Sequence, residues 1–176
     1  MVRYRRNFVL GGTFFFTITL RDRSSRILVD YVDALRTVVR EAQTRHPFDI
    51  DAMVVMPDHI HMVVTLPPGD TNYSGRVRFI KSRFTRAIAA SGVALNRNAR
   101  GEYDLWQRRF WEHTIRDELD MEHHINYVHI NPVKHGCVTR AIDWPHSSIH
   151  RYIKAGWMTP DWGVDTDDDQ TPFGEP

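Results

Sequence analysis

Ile50-Asp51-Ala52-Met53-Val54-Val55-Met56-Pro57-Asp58-His59-Ile60-His61-Met62-Val63-Val64-Thr65-Leu66 is the stretch whose reading decides the fold. Two β-rich apolar runs, 50–56 and 60–66, flank Pro57-Asp58, and such a turn between such runs predicts a hairpin. His59 and His61 then stand at the start of the second strand. Strand side chains alternate faces with a period of two. The two imidazoles therefore project to one side, close enough to share a metal ion, and Ile60 points into the core.

Upstream, Gly11-Gly12 precede a strand at 13–20. Ser24 and Ser25 are candidate N-caps for a helix to about residue 44. Its apolar residues Leu28, Tyr31, Val32, Leu35, Val38, Val39 and Ala42 follow helical spacing, and His46-Pro47 ends it. Downstream, Pro67-Pro68-Gly69-Asp70 is a break. A helix at 73–91 then puts Val77, Ile80, Phe84 and Ile88 on one face. A loop through Gly101 leads to an aromatic, basic, strand-like segment at 105–116. Asp117-Glu118 opens a third helix, with acids well placed at its N-terminus, and Pro132 is expected to end it near Asn131. Trp144-Pro145-His146-Ser147-Ser148 reads as a loop and cap before a short helix at 149–154. Strands and helices do not alternate as in a doubly wound sheet, and no internal repeat is visible. The reading is α+β: an antiparallel sheet with helices mainly on one face.

With 176 residues, 41% hydrophobic and 26% charged, the chain suits one domain with a core of two layers. A single cysteine, Cys137, excludes an internal disulfide framework and a CxxC zinc site. The apolar run at 14–20 is too short to span a bilayer and has no small-residue cleavage site. No membrane association and a cytoplasmic location are expected. The net charge of +1 hides a split: residues 161–176 hold six acids and no Lys or Arg, leaving 23 basic against 16 acidic residues, a body of +7. That balance fits nucleic acid and equally fits a solvated surface with a solubilising tail. The expected organisation is a domain at 1–155 and an acidic, disordered tail at 156–176.

Histidine pairs on strands are more often structural than functional, and a helical tyrosine usually packs. The third helix, however, has two faces. Met121, Ile125 and Val128 form an apolar stripe, expected to seat the helix on the sheet. Asp120, His123, His124, Tyr127 and Asn131 form a polar one, expected to look elsewhere. Tyr127 and Asn131, four residues apart, share a face, and the negative helix C-terminus favours a cation beside Asn131. Two imidazoles, a carboxamide and a phenol suit a metal that grips a phosphate while the tyrosine attacks it.

Met56-Pro57-Asp58-His59-Ile60-His61, with Tyr127-Val128-His129-Ile130-Asn131-Pro132-Val133-Lys134-His135-Gly136, closely resembles the single-tyrosine HUH transposases, within them the REP-associated branch. Gly11-Gly12-Thr13-Phe14-Phe15-Phe16-Thr17, Ile80-Lys81, Trp106-Gln107-Arg108-Arg109-Phe110-Trp111-Glu112-His113 and Trp144-Pro145-His146-Ser147-Ser148 add to the likeness, which spans roughly 4–155. The resemblance implies that His59 and His61 ligate a divalent metal, Mg²⁺ or Mn²⁺ in use, with Asn131 as third ligand and Tyr127 as nucleophile. Many insertion-sequence members carry Gln where Asn131 stands; Asn is one methylene shorter. Cys137 replaces the usual apolar residue after the Gly. The implied fold is the ferredoxin-like HUH palm, and the implied substrate is single-stranded DNA with a hairpin, cleaved through a 5′-phosphotyrosine link. A monomer is expected rather than a homodimer.

Expected DNA contacts are Arg3, Arg5 and Arg6 in the N-terminal arm, Arg78, Lys81 and Arg83 on the basic helix, and Arg108 and Arg109, with Tyr4, Phe79, Trp106 and Trp111 as stacking candidates. Among rival readings, a histidine-triad hydrolase needs a third histidine where Val63 stands. A rolling-circle replication initiator shares the chemistry in a different motif context, and a catalytically idle hairpin-binding module would not need every catalytic position.

Overall fold

In the computed structural model of the protein the described residues are 7–164; Arg3, Tyr4, Arg5, Arg6 and residues 165–176 lie outside the described residues. Four strands form one antiparallel sheet in the order β2-β3-β1-β4: β1 (Thr13–Thr19), β2 (Asp49–Val55), β3 (His59–Thr65) and β4 (Trp111–Thr114). The expected hairpin is β2–β3, closed by Pro57-Asp58. Between β1 and β2 run a short helix, α1 (Ile27–Asp30), and α2 (Val32–Arg45); between β3 and β4 runs α3 (Tyr73–Ala90). Each crossover joins two parallel strands separated by one antiparallel neighbour, which is the split βαβ pattern of a ferredoxin-like domain. Right-handed crossovers place α2 and α3 on the same face. The opposite face is left for α4 (Glu118–Lys134), which packs on β2 and β3.

The period of two sorts the core. Phe14, Phe16 and Ile18 of β1 and Ile60, Met62 and Val64 of β3 face α2 and α3, where they meet Leu35, Val38, Val77, Ile80, Phe84 and Ile88. Phe15, Ala52, Val54 and Val63 face α4 and form a second, smaller core with Tyr127 and Val128. The larger helical layer thus covers one face, and α4 closes the other.

Local details differ from the sequence reading. The helix expected from Ser24–Ser25 starts at Ile27, where the Ser25 hydroxyl accepts the Ile27 amide (3.3 Å), and it breaks at Tyr31 before resuming. The helix expected to stop near Asn131 runs through Pro132 to Lys134. Proline removes one N–H three residues from the end, but His135 N–H still reaches the Asn131 carbonyl (3.0 Å) and Cys137 N–H reaches that of Pro132 (2.9 Å). Gly136, at φ 65°, makes the left-handed exit that completes this cap. Of 105–116, only Trp111–Thr114 is strand; Trp106 adds an isolated bridge to Leu20. Residues 156–164, read as the start of the tail, form turns against the body: Trp157 packs on Tyr152 and Trp162 on His129.

The 144–148 segment covers the edge of β2, which would otherwise expose unpaired backbone groups. Val55 N–H donates to the His146 carbonyl (2.9 Å), Ser148 N–H to that of Met53 (2.8 Å), and the Trp144 indole to that of Val55 (3.0 Å). The Ser148 hydroxyl accepts the Met53 amide (2.9 Å) and bonds His129 Nε2 (2.8 Å), joining β2, α4 and α5 (Ile149–Lys154). Ser148→Ala leaves a backbone amide and a buried imidazole without partners. It is expected to lower stability by about 1–3 kcal/mol, read as a reduced urea midpoint at unchanged m-value.

Candidate active site

Strand alternation and the β1–β3 register set one half of the site. His59 and His61 both face α4 and are almost fully buried, at 1% and 0% exposure, with ring centroids 4.7 Å apart. Thr17 is the register partner of His61 and meets its Nδ1 through Oγ1 at 3.0 Å. Asp58, in the hairpin turn, accepts from His59 Nδ1 at 2.8 Å and also pairs with Arg23. Burial pushes the Asp58 carboxyl up, but the bonds from His59 and Arg23 outweigh it and hold the carboxyl below its ordinary value. It remains a charged acceptor, and a carboxylate on Nδ1–H is the usual way to orient an imidazole toward a metal through Nε2.

Helix α4 supplies the other half. Asp117 caps it by accepting the Asp120 amide (2.8 Å). Asp120, His124, Tyr127 and Asn131 are all buried against the sheet, whereas His123 is exposed and Met121 and Ile125 are half-buried. The polar stripe expected to look elsewhere is therefore the one that seats the helix, alongside Val128. The reason is complementarity: this face of the sheet carries His59, His61, Thr17 and His113, so polar groups meet polar groups. The Tyr127 ring lies 5.1 Å from that of His61 and 5.7 Å from that of Phe15. Asn131 Oδ1 lies 3.3 Å from His59 Nε2, and the Asn131 side-chain N–H₂ is buried without a hydrogen-bond partner.

This geometry fits a cation. With the proton on Nδ1 given to Asp58, His59 Nε2 presents a lone pair to another electron-rich atom, the carboxamide oxygen. Two such atoms repel unless a positive centre is shared between them. Their 3.3 Å separation is close to the ~3.0 Å edge of an octahedron with ligands at 2.0–2.1 Å. Asn131, although one methylene shorter than Gln, reaches His59 because α4 packs directly on β3.

Four residues near this centre were not singled out in the sequence. Asp58 was visible beside His59, but its role depends on the turn's direction. Thr17 becomes a partner of His61 only once the register is known. Lys134 places its ammonium 5.3 Å from the Tyr127 ring centroid, and the His135 ring is 5.1 Å from that of His59; Lys134 is the last residue of α4 and His135 its C-cap.

A second cluster lies behind Phe15, whose ring touches both His61 and His124. Asp120 accepts from His113 Nε2 (2.9 Å), from the Arg116 amide and Nε (both 3.0 Å), and lies 3.2 Å from His124 Nδ1. The ligand atoms of His113, Asp120 and His124 fall within 4.8 Å of one another. The Arg116 guanidinium already supplies the cation there, so the cluster acts as an anchor tying the first turn of α4 to β4.

The expected DNA contacts divide. A groove of about 1150 Å³ beside α3 is lined by Arg78, Lys81 and Arg108, together with Arg21, Arg86, Arg97 and Arg100. Lys81 is partly committed, donating to the Gln107 carbonyl at 2.8 Å, and burial pushes its ammonium down to about 8. Arg109 lies apart, in a small cleft with Thr17, Thr19, His59 and Trp111. Gln107 and Phe110 line both spaces, so the groove and the cleft beside His59 are neighbours. Arg83 is not in the groove: its fork is engaged by Glu41 of α2, with two bonds of 3.1 Å. Phe79 also turns toward α2, against His46 and Arg45. Trp106 is buried, its indole bonded to Thr85 at 3.0 Å, whereas half-buried Trp111 stays at the cleft.

Residues 13–131 match the family model described as "Transposase IS200 like". The chain belongs to the IS200-like transposases. A REP-associated tyrosine transposase of Escherichia coli is 43% identical over 168 residues, covering 96% of this chain and 94% of that protein. A relative in Haemophilus influenzae named for the same group is 43% identical over 169 residues, with 95% and 96% covered. The solved structure of a REP-associated tyrosine transposase bound to a REP hairpin superposes with a TM-score of 0.84 at 41% identity, covering 100% of this chain and 98% of that one. As in the family, this chain is a DNA transposase on an antiparallel sheet. Among the described residues, no helix is long and apolar enough to cross a membrane.

The Asp120 anchor yields a pH prediction. Burial (3% exposed) pushes this carboxyl up, but Arg116 and His113 outweigh it and hold the carboxyl far below its ordinary value. A depressed folded-state pKa contributes stability that is fully present above the unfolded value of about 3.9 and lost as pH falls through the folded one. Asp120→Asn is expected to cost about 1.5–3 kcal/mol at neutral pH. Denaturant melts of the two proteins should differ by a constant amount down to about pH 5 and converge below about pH 4.

Proposed function

We propose that this transposase cuts and rejoins single-stranded, hairpin-bearing DNA with Tyr127 as nucleophile, in the way the names of its REP-associated relatives suggest. The observation that carries this is the convergence of Tyr127, His59, His61 and Asn131 from two elements seventy residues apart onto one buried point. His59, His61 and Asn131 would hold a divalent cation, Mg²⁺ or Mn²⁺. When bound, the cation withdraws charge from a non-bridging oxygen of the scissile phosphate.

The Tyr127 oxygen attacks phosphorus and the P–O3′ bond breaks. The phenol proton ends on the released 3′-oxygen, and the phosphate stays on the tyrosine as a 5′-phosphotyrosine. A different 3′-hydroxyl can reverse the step, so strands are rejoined without a nucleotide cofactor. A phenol with a pKa near ~10 is a poor nucleophile at neutral pH; Lys134 brings positive charge to its ring, where the incoming phosphate must also lie. Phe15 and Val63 wall the tyrosine from behind. The groove carrying Arg78 and Arg108 is the path by which the strand reaches the cleft, where Arg109 meets it. One chain holds all four groups, which supports action as a monomer, and a DNA substrate together with bacterial relatives supports a cytoplasmic location.

Tyr127→Phe is expected to abolish the covalent adduct with a hairpin oligonucleotide on a denaturing gel and to leave hairpin affinity within about twofold, because only the reacting oxygen is lost. His59→Ala and His61→Ala should lose metal-dependent cleavage and weaken Mn²⁺ binding by calorimetry while still binding DNA. An undiminished adduct from Tyr127→Phe refutes the assignment.

The groove has its own test. Arg78→Ala and Arg108→Ala should each make the slope of log affinity against log salt shallower by about 0.7–1 unit per lost phosphate contact. Arg83→Ala should leave the slope unchanged, since that guanidinium is held by Glu41.

A further inference from the structure

The connection between α3 and β4 takes no part in the chemistry above, yet it is more than a linker. Residues 96–104 fold back as a small β-finger. Arg97 and Tyr103 are bridge partners, Asp104 N–H donates to the Asn96 carbonyl and Asn98 N–H to that of Glu102, both at 2.9 Å. Gly101, at φ 77°, turns the tip. Asn98 Oδ1 accepts the amides of Arg100 (2.9 Å) and Glu102 (3.1 Å), and the base of the finger is fixed by Arg21 Nε on Asp104 (2.7 Å). The result is a hydrogen-bonded wall of the basic groove.

On that wall the Arg97 guanidinium lies 4.1 Å from the centroid of the Tyr103 ring and donates to the Gly101 carbonyl. Tyr103 nevertheless keeps 39% of its surface open. An arginine meant only for phosphate would reach into the groove with its fork free; this one is flattened on a phenol. Every nucleobase has a π-face, and unstacked bases settle on aromatic and guanidinium planes. Gln107 and Phe110 line both this groove and the cleft beside His59, so a single-stranded flank that lies along both passes the finger.

We propose that the Arg97–Tyr103 pair is a stacking platform for one unpaired nucleobase in the single-stranded flank of the substrate, so that the 96–104 finger favours DNA that carries such a flank. The inference rests on the groove being the DNA path and adds a base-stacking position to it. The preference comes from stacking a base at a fixed place relative to the cut, not from charge, which distinguishes this pair from Arg78 and Arg108.

The test uses the full chain carrying Tyr127→Phe, so that binding is measured without cleavage, and a hairpin oligonucleotide with single-stranded flanks. 2-Aminopurine is placed at one flank position at a time. The expected result is fluorescence quenching at one position on binding. Adding Tyr103→Ala should abolish that quenching and weaken affinity for the flanked hairpin by about tenfold, with the flankless hairpin bound as before. Tyr103→Phe should keep both the quenching and the affinity, while Arg97→Lys, which keeps the charge and loses the plane, should reduce both. Quenching at no position, equal weakening toward flanked and flankless DNA, or no weakening at all overturns the platform. Adduct formation by Tyr103→Ala with Tyr127 intact, at saturating DNA, reports separately on the transposase chemistry, so either idea can fail alone.

Discussion

His59 Nε2 and Asn131 Oδ1 face each other at 3.3 Å across the seam between the sheet and α4, and much of the surrounding structure keeps that pair in place. From the sheet side, Asp58 and Thr17 hold the two imidazoles by their Nδ1 atoms. From the helix side, the Asp117 cap and the Asp120 anchor set the start of α4, and the Gly136 exit sets its end. Between them, a helix of fixed rise brings Tyr127 and Asn131 onto the strand one turn apart. A buried imidazole or carboxamide is costly unless its polar atoms are satisfied. This interface therefore tolerates few alternative arrangements, and that gives the site its precision without rigid loops.

The sheet topology explains why the site lies on this face. Two right-handed crossovers commit α2 and α3 to one side, where the apolar residues of β1 and β3 alternate inward. The other side of the same strands is left with His59, His61, Thr17 and Thr19 near one end and Phe15 and Val63 near the other. Helix α4 covers both regions at once: Val128 and Tyr127 pack on the apolar part, and Asn131 on the polar part. Tyr127 sits at the boundary, its ring wedged against Phe15 and His61. Stability and the proposed chemistry thus share one helix, and the basic groove and the cleft beside His59 are both lined by Gln107 and Phe110.

Much of this was legible in the chain itself. The hairpin at Pro57-Asp58, the long helix carrying Val77, Ile80, Phe84 and Ile88, and the shared facing of His59 with His61 are consequences of local periodicity, which survives into any tertiary context. The spacing of Tyr127 and Asn131 belongs with them, and the motif resemblance joins the two halves. Less legible were the features set by competition between neighbours. Pro132 was read as a stop, yet the helix continues because the loss of one N–H close to the end is offset by the Gly136 cap. Arg83 and Phe79 looked like groove residues on the basic helix, but a helix has several faces, and theirs points to α2 and Glu41.

The sequence by itself determined the α+β class, the order of the elements, the strand alternation that pairs the histidines and the helical spacing that pairs the tyrosine with the carboxamide, because each depends only on residues a few positions apart. Only the tertiary packing makes the polar stripe of α4 the buried one, makes Thr17 rather than a nearer residue the partner of His61, and brings Gln107 between the groove and the cleft beside His59. These depend on strand register and on which face meets which. A local pattern cannot encode them, since a group reads as polar in the chain and as buried only when a matching partner stands opposite.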